Sequence, residues 1–444
     1  MGMLEAKIKE FAKSQGAVAV GIAGPERLSG PPSLDASYTL PGARSVVALA
    51  LPMNVAAIEA FLSKESLVPH NLDQLAGNQR IHRICRNLAH LIRSQGYRAV
   101  EVPPNNTYRR ELDPFKSMQN ATFSHRFGAI AAGIGAQGWS GNVKVPGHGA
   151  AVYLGSVLTD AHLESDPALP PRLFIDGQCK QCKRCAAACP SSMFEAAGEE
   201  YILLNGTLHP RGRRNNIHLC TTACFGLHAL SRDKKWTTWG KHWIPEWIGG
   251  PPDPNNSRAV RRAFSRAVST RGDSFPRYDI IRKVSSILYA EDVLERELPN
   301  YEELPEDELL QNQALSELAE RNLDVRDLAD PYVLTCSSCA LICGPDVKET
   351  DRRYKMLVSS GLVVPNGDGR MVRVKTYEEA ADLRKRHPRK VSRKQMAADA
   401  KALTLTFARY NFGFDPRSAL AGILYERRRK QAVRDRITGH KDAR

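Results

Sequence analysis

Long apolar runs are missing from this 444-residue chain. No stretch reaches the roughly 18 uninterrupted apolar residues of a membrane-crossing helix, so no membrane span is expected. The amino terminus, MGMLEAKIKEFAKSQG, has neither an apolar signal core nor a twin-arginine pair. Export is therefore not indicated, and a cytoplasmic location is the expectation. The glycine-rich segment near Gly133-Ile134-Gly135 lacks a convincing acidic ribose ligand downstream, which argues against a dinucleotide-binding fingerprint. Acidic charge is scarce at one end only. From Arg370 to Arg444 there are 21 Lys and Arg against 8 Asp and Glu, so this segment holds +13 of a net +15.

What is present is cysteine in a telling arrangement. Cys179-x2-Cys182-x2-Cys185-x3-Cys189-Pro190 has the spacing of bacterial [4Fe-4S] ferredoxin runs, and Cys336-x2-Cys339-x3-Cys343 forms a second run downstream. Soft thiolates in this number select iron-sulfur clusters or zinc over hard cations. Zinc sites normally use two separated pairs, whereas here four cysteines fall within eleven residues, which favours iron-sulfur. Disulfides are disfavoured in a reducing compartment. In two-cluster ferredoxins the fourth cysteine of a run serves the other cluster, so the expected chemistry is single-electron transfer.

Along the chain, Leu4, Ile8 and Phe11 at helical spacing before Gly16 predict an opening helix. Ala17 to Ile22 and Ser45 to Leu51 read as short buried strands, Leu72 to Gln95 as a long amphipathic helix, and Ala99 to Val102 as a third strand stopped by Pro103-Pro104. Cys85 falls on the apolar face of that helix and is expected in the core. Helix and strand alternate over the first 165 residues, which predicts an α/β or α+β domain. The expected division is 1–165, a cofactor and substrate domain; 166–230 and 331–369, two halves of an iron-sulfur domain; 231–330, an insertion; and 370–444, a basic segment. The insertion holds Trp236, Trp239, Trp243 and Trp247, read as core packing ahead of pocket wall, and a helix after Pro305. The basic segment could meet a nucleic acid, an acidic electron donor or an anionic surface.

Several pieces in order, AVAVGIAG, SVVALALP, AAGIG (131–135), WSGN, the 146–149 turn, YLGSVLTD (153–160) and then CxxCxxCxxxCP, resemble the cobalamin-dependent iron-sulfur reductases that include epoxyqueuosine reductase and the reductive dehalogenases. The resemblance implies a nitroreductase-like cobalamin-binding domain followed by a ferredoxin-like domain with two [4Fe-4S] clusters, here interrupted by the insertion. It implies an external donor of the ferredoxin or flavodoxin class and electron transfer through the clusters to cobalt. Carried over by position, Cys179, Cys182 and Cys185 with Cys343 hold one cluster. Cys189, Cys336 and Cys339 hold the other with Cys220, Cys224 being the alternative. Gly133, Gly135, Gly138, Ser140, Gly147, His148 and Gly149 are the expected cobalamin contacts.

Departures from the family pattern bear on the substrate. The catalytic Asp of epoxyqueuosine reductases falls near Gln119, and neither Gln119 nor Asn120 is an acid. The glutamate usually found before Arg126 is His125, and no helical-repeat tail is evident. Reductive dehalogenases use a Tyr with a neighbouring basic residue for the proton, so the resemblance to them implies Tyr108 as donor with His125, Arg109 or Arg110 as that neighbour; a phenol needs a nearby cation to act near neutral pH. The leading expectation is a reductive-dehalogenase-like reductase of a small organic substrate. The alternatives are an epoxyqueuosine reductase-like enzyme binding tRNA through the basic segment, and a non-catalytic ferredoxin-like electron carrier.

Overall fold

The computed structural model describes residues 2–104, 121–215, 220, 223–224, 229–239, 336–365 and 371–386. The opening helix α1 (Met3–Ser14) and the strands β1 (Ala19–Ala23) and β2 (Ser45–Pro52) form where the apolar spacing placed them. After α2 (Val55–Leu62) comes α3 (Val68–Ser94), which has Pro69 in its first turn, where a missing N–H costs nothing, and gives way at Gly96 with φ +88°. Strand β3 (Ala99–Glu101) follows, then two short strands, β4 (Ala136–Gln137) and β5 (Val143–Lys144), and the long β6 (Val152–Thr159).

The main sheet runs β1-β2-β6-β3, and every pairing in it is antiparallel. The chain is therefore α+β here, not the parallel βαβ kind. Strand β2 is buried on both faces as far as Leu51, which is why its sequence shows no polar alternation. Val47, Leu49 and Leu51 face α1 and α3 together with Ile8, Ile81, Leu88 and Ile92, while Val46, Ala48 and Ala50 face the helix His125–Ala131. Cys85 is fully buried in the first of these cores, and burial holds its thiol well above the ordinary range.

Residues 166–215 continue as short helices and a hairpin, Phe194–Leu204 with Thr207–Arg214. Its two-residue Asn205-Gly206 turn has both φ angles positive, the backbone that matches strand twist in a tight hairpin. The later residues add the helix Val347–Ser359, the hairpin Leu362–Pro365 with Met371–Val374, and the helix Tyr377–Arg386. One core ties this part to the first: Ile58, Phe61 and Leu62 of α2 pack with Trp236, Trp239, Leu341 and Leu357. Trp239 donates its indole N–H to the Phe61 carbonyl at 2.8 Å, so these two tryptophans are core residues. Trp243, Trp247, the helix expected after Pro305 and the basic stretch beyond 386 lie outside the described residues. Among the described residues, no helix is long and apolar enough to cross a membrane.

Candidate iron-sulfur centres

The first cysteine run folds as two short helices, Gln178–Cys182 and Arg184–Ala187, broken by Lys183 in the left-handed conformation with φ 46°. The break turns Cys179, Cys182 and Cys185 toward one pocket, and Cys343 joins them there from just after the helix Ser338–Leu341. This pocket is also lined by Trp139 and Lys144. Burial pushes the Cys179 thiol up to about 11 and the Cys185 thiol well above its ordinary value, with Cys343 adding to both. Four thiolates this close and this dry are unfavourable by themselves. A bound cation set reverses that balance, because a coordinating thiol is deprotonated outright.

Cys189 is buried in the same core as Cys179. Its thiol is raised by burial and then by Cys220; Cys336 is raised by burial and then by Cys220, Cys339 and Cys189; Cys339 is pushed up to about 12 by burial, Cys220 and Cys189. Cys189, Cys220 and Cys339 pack in one core with Cys179 and Cys185 of the first run. The Cys224 sulfur lies 3.8 Å from that of Cys220. The ten cysteines form no disulfide. Among the described residues no three His, Cys, Asp or Glu side chains converge as a single metal ion would require. A [4Fe-4S] cluster takes each thiolate on a different iron, so it does not ask for that convergence.

The surroundings fit anionic clusters. The Trp139 backbone N–H donates to Cys179 Sγ at 3.4 Å, the Met193 N–H to Cys189 Sγ at 3.3 Å, and Asn142 Nδ2 to Cys339 Sγ at 3.4 Å. Lys144 is 3% exposed, with Gln178 as its hydrogen-bond partner. Beside Cys220, burial and then the charges of Arg211 and Arg126 bring Arg214 down to about 9, and its Nε has no partner. Glu200 binds Arg211 at 2.6 Å and so offsets part of this charge. Lys64 is also buried, which takes it down to about 7, and Cys336 pulls it the other way. Buried positive charge without enough carboxylate is costly; a cluster with four thiolates would offset it.

The expected cobalamin contacts divide. A Cβ on Gly133 would meet the Pro167 carbonyl, and one on Gly135 the Val143 side chain, so both glycines serve the packing of the chain on itself. Gly138 and Ser140 line the pocket of the first cysteine group. Gly149 packs on the second cysteine run, and Gly147 and His148 stand at the turn before it, where Gly147 has open space. His125 bridges Ser156 Oγ at 2.9 Å and the Pro103 carbonyl at 3.3 Å. A carbonyl only accepts, so Nε2 carries the proton and Nδ1 accepts from the Ser156 hydroxyl. Burial lowers this histidine to about 4. It is a neutral residue whose two ring nitrogens are both used inside the fold, and it is not the cation a phenol would need. Tyr108, Arg109, Arg110 and Gln119 lie outside the described residues.

Sequence reasoning passed over Trp139, Asn142, Lys144, Arg214 and Lys64 as residues of the centres. The first two sit in the WSGN motif, which was a usable signal. Nothing local marks the other three.

No protein-family model matches the chain. An epoxyqueuosine reductase of Bacillus cereus is 26% identical over 160 residues, 36% of this chain and 38% of the relative. One from Synechococcus sp. (strain RCC307) is 30% identical over 153 residues, 34% and 41% of the two chains. The matches therefore span less than half of the curated relatives, all of which are named reductases and carry a name from the family that the motifs resemble. Among solved structures, the catabolic reductive dehalogenase NpRdhA aligns with TM-score 0.38 at 16% identity, over 65% of this chain and 36% of that one. An epoxyqueuosine reductase with a modified tRNA-Tyr stem loop aligns with TM-score 0.36 at 12% identity, over 91% and 98%.

Proposed function

We propose that this chain is an iron-sulfur reductase of the cobalamin-dependent kind, closer to the epoxyqueuosine reductases than to the dehalogenases, acting on a nucleoside of tRNA. The observation that supports the electron-transfer part is the pocket lined by Cys179, Cys182, Cys185 and Cys343, with Cys189, Cys220 and Cys339 packed in the adjoining core. Cys179, Cys182, Cys185 and Cys343 would hold one cluster, and Cys189, Cys220, Cys336 and Cys339 the other. Bound clusters would supply one-electron transfer, and a bound corrinoid a low-valent metal able to reduce an organic substrate. The work of the chain is to keep water from the thiolates, to hold them with N–H donors from Trp139, Met193 and Asn142, and to place Lys144 and Arg214 near their charge.

The curated relatives support the tRNA substrate, and the net +13 of residues 370–444 supplies charge for phosphate contacts. Gln119 and Asn120, where an acid is expected, favour a second reading: a dehalogenase-like reductase of a small organic molecule. Anaerobic purification with iron, sulfide and corrinoid analysis tests the common part. Two clusters' worth of iron and a corrinoid spectrum on reconstitution are expected, and iron without corrinoid binding would leave only an electron carrier. Binding of tRNA measured against salt separates the substrates. Affinity is expected to fall steeply with salt, whereas a flat response or no binding would sink the tRNA reading.

A further inference from the structure

The pocket of Cys179, Cys182, Cys185 and Cys343 has lysines around it. Lys183 lines it, as do Val347 and Thr350 of the helix Val347–Ser359, and Lys183 Nζ covers the Trp139 ring at 4.1 Å. Lys180 follows Cys179 in the helix Gln178–Cys182 and is exposed. On the neighbouring helix, Lys348, Asp351 and Lys355 are spaced by three and four residues and so share one face, on which both lysines are exposed. Arg184 ties that face to the cysteine run: its Nε donates to Asp351 at 2.6 Å, and its guanidinium lies 5.0 Å from the Tyr354 ring centre. Four lysines from two elements thus surround one centre.

The carboxylates of this surface are already engaged. Asp351 is held by Arg184, Asp176 by Arg172 at 2.7 Å, and Glu349 by Arg352 and Arg353 at 2.7 Å each, while Asp346 caps its helix by accepting the Glu349 N–H. Among the described residues none of the four lysines makes an ion pair, so the rim keeps a positive surplus. Electron transfer slows steeply with distance, and a donor has to bring its own redox group close to this pocket. Interfaces of that kind are small and transient and rely on opposite charge for encounter and orientation. A lysine rim selects an acidic partner.

Resting on the iron-sulfur reading above, we propose that Lys180, Lys183, Lys348 and Lys355 form the docking surface of the electron donor, a small acidic electron-carrier protein that serves the centre of Cys179, Cys182, Cys185 and Cys343. One electron leaves the carrier and one is taken up by the iron, with no bond made or broken.

The test uses the full-length protein reconstituted anaerobically, with an acidic flavodoxin as the probe. Wild type is compared with Lys180→Glu, Lys348→Glu and with Lys348→Glu, Lys355→Glu; the control is Lys7→Glu, Lys13→Glu, the same change of net charge on two exposed lysines of α1. Iron content and the extent of reduction by dithionite come first and are expected to match wild type, the second pair deciding should a change beside Cys179 cost iron. Reduction by flavodoxin hydroquinone at low salt is then expected to slow by roughly tenfold or more in the rim variants alone, the scale of electrostatic steering. Calorimetry with oxidised flavodoxin, which transfers no electron, is expected to show weakened binding in the same variants. Added salt should bring the wild type down toward the variants, as screening requires. Unchanged reduction and binding in the rim variants would overturn the proposal, and so would an equal loss in the control. Loss of tRNA binding with donor reduction unchanged would give this surface to a nucleic acid and overturn it as well. A wild-type protein that takes up no iron removes the underlying reading instead, and that failure is told apart at the first measurement.

Discussion

The carbonyl of Cys343 lies 2.3 Å from where a Cβ on Gly149 would stand. The next residue, Ala150, donates its N–H to that same carbonyl at 2.9 Å. The turn after β5 thus clamps the backbone of the second cysteine run and holds Cys343 in the first group of thiols. Gly149 has φ +76°, a left-handed conformation that an alanine adopts only at a cost of about 1–2 kcal/mol, before any clash.

Gly149→Ala is accordingly expected to lower the melting temperature and to reduce cluster occupancy at the centre that Cys343 completes. Iron content and thermal unfolding check this. A variant with wild-type iron and stability would show that the clamp is dispensable.

The crossing of ligands between the two runs gives a paired expectation. Cys189→Ala should disturb the centre built on Cys336 and Cys339 more than that of its own run, and Cys343→Ala should do the reverse. Electron paramagnetic resonance on the two variants reads this directly. Loss confined to the centre of each residue's own run would contradict the exchange.

Stability should also depend on pH through two buried imidazoles. Burial holds both His70 and His125 at about 4, below the ordinary 6.5 of histidine. Between those values the unfolded chain binds more protons than the folded one, so stability falls as pH drops from about 6.5 toward 4 and levels off below. Urea midpoints at pH 7, 6 and 5 are expected to decline in the wild type and less so in the His70→Leu, His125→Gln double variant. Glu349 acts in a lower window. Hydrogen bonds from Arg352 and then Arg353 bring it to about 2, so its contribution is lost only as pH falls below about 4.5.

Leu88 in α3 is fully buried between the helix and the sheet. Leu88→Ala should cost about 2–5 kcal/mol, read as a lowered denaturant midpoint. Because this core is separate from both cysteine groups, the iron content of the folded fraction should be unchanged.

Much of the first domain was legible because apolar periodicity is a local signal. The face carrying Ile81, Ile84, Leu88 and Ile92 announces α3, and the unbroken apolar run of β2 announces a strand covered on both sides. The antiparallel order β1-β2-β6-β3 was not legible, since helix and strand alternate along the chain in parallel and antiparallel folds alike. His125 shows the same limit at a single residue. Its position before Arg126 pointed to chemistry, but its contacts are Ser156 on a distant strand and the Pro103 carbonyl.

By itself the sequence determined that this chain carries two thiolate runs of iron-sulfur spacing and an α-and-β body, because ligand spacing and hydrophobic period are properties of short segments. Only the tertiary structure decided that Cys220 packs in one core with Cys189 and Cys339, and that Lys144, Arg214 and Lys64 stand near the thiols. Burial and electrostatic neighbours depend on which distant segments are packed together, and Cys343 held over Gly149 is settled by a contact between residues almost two hundred positions apart.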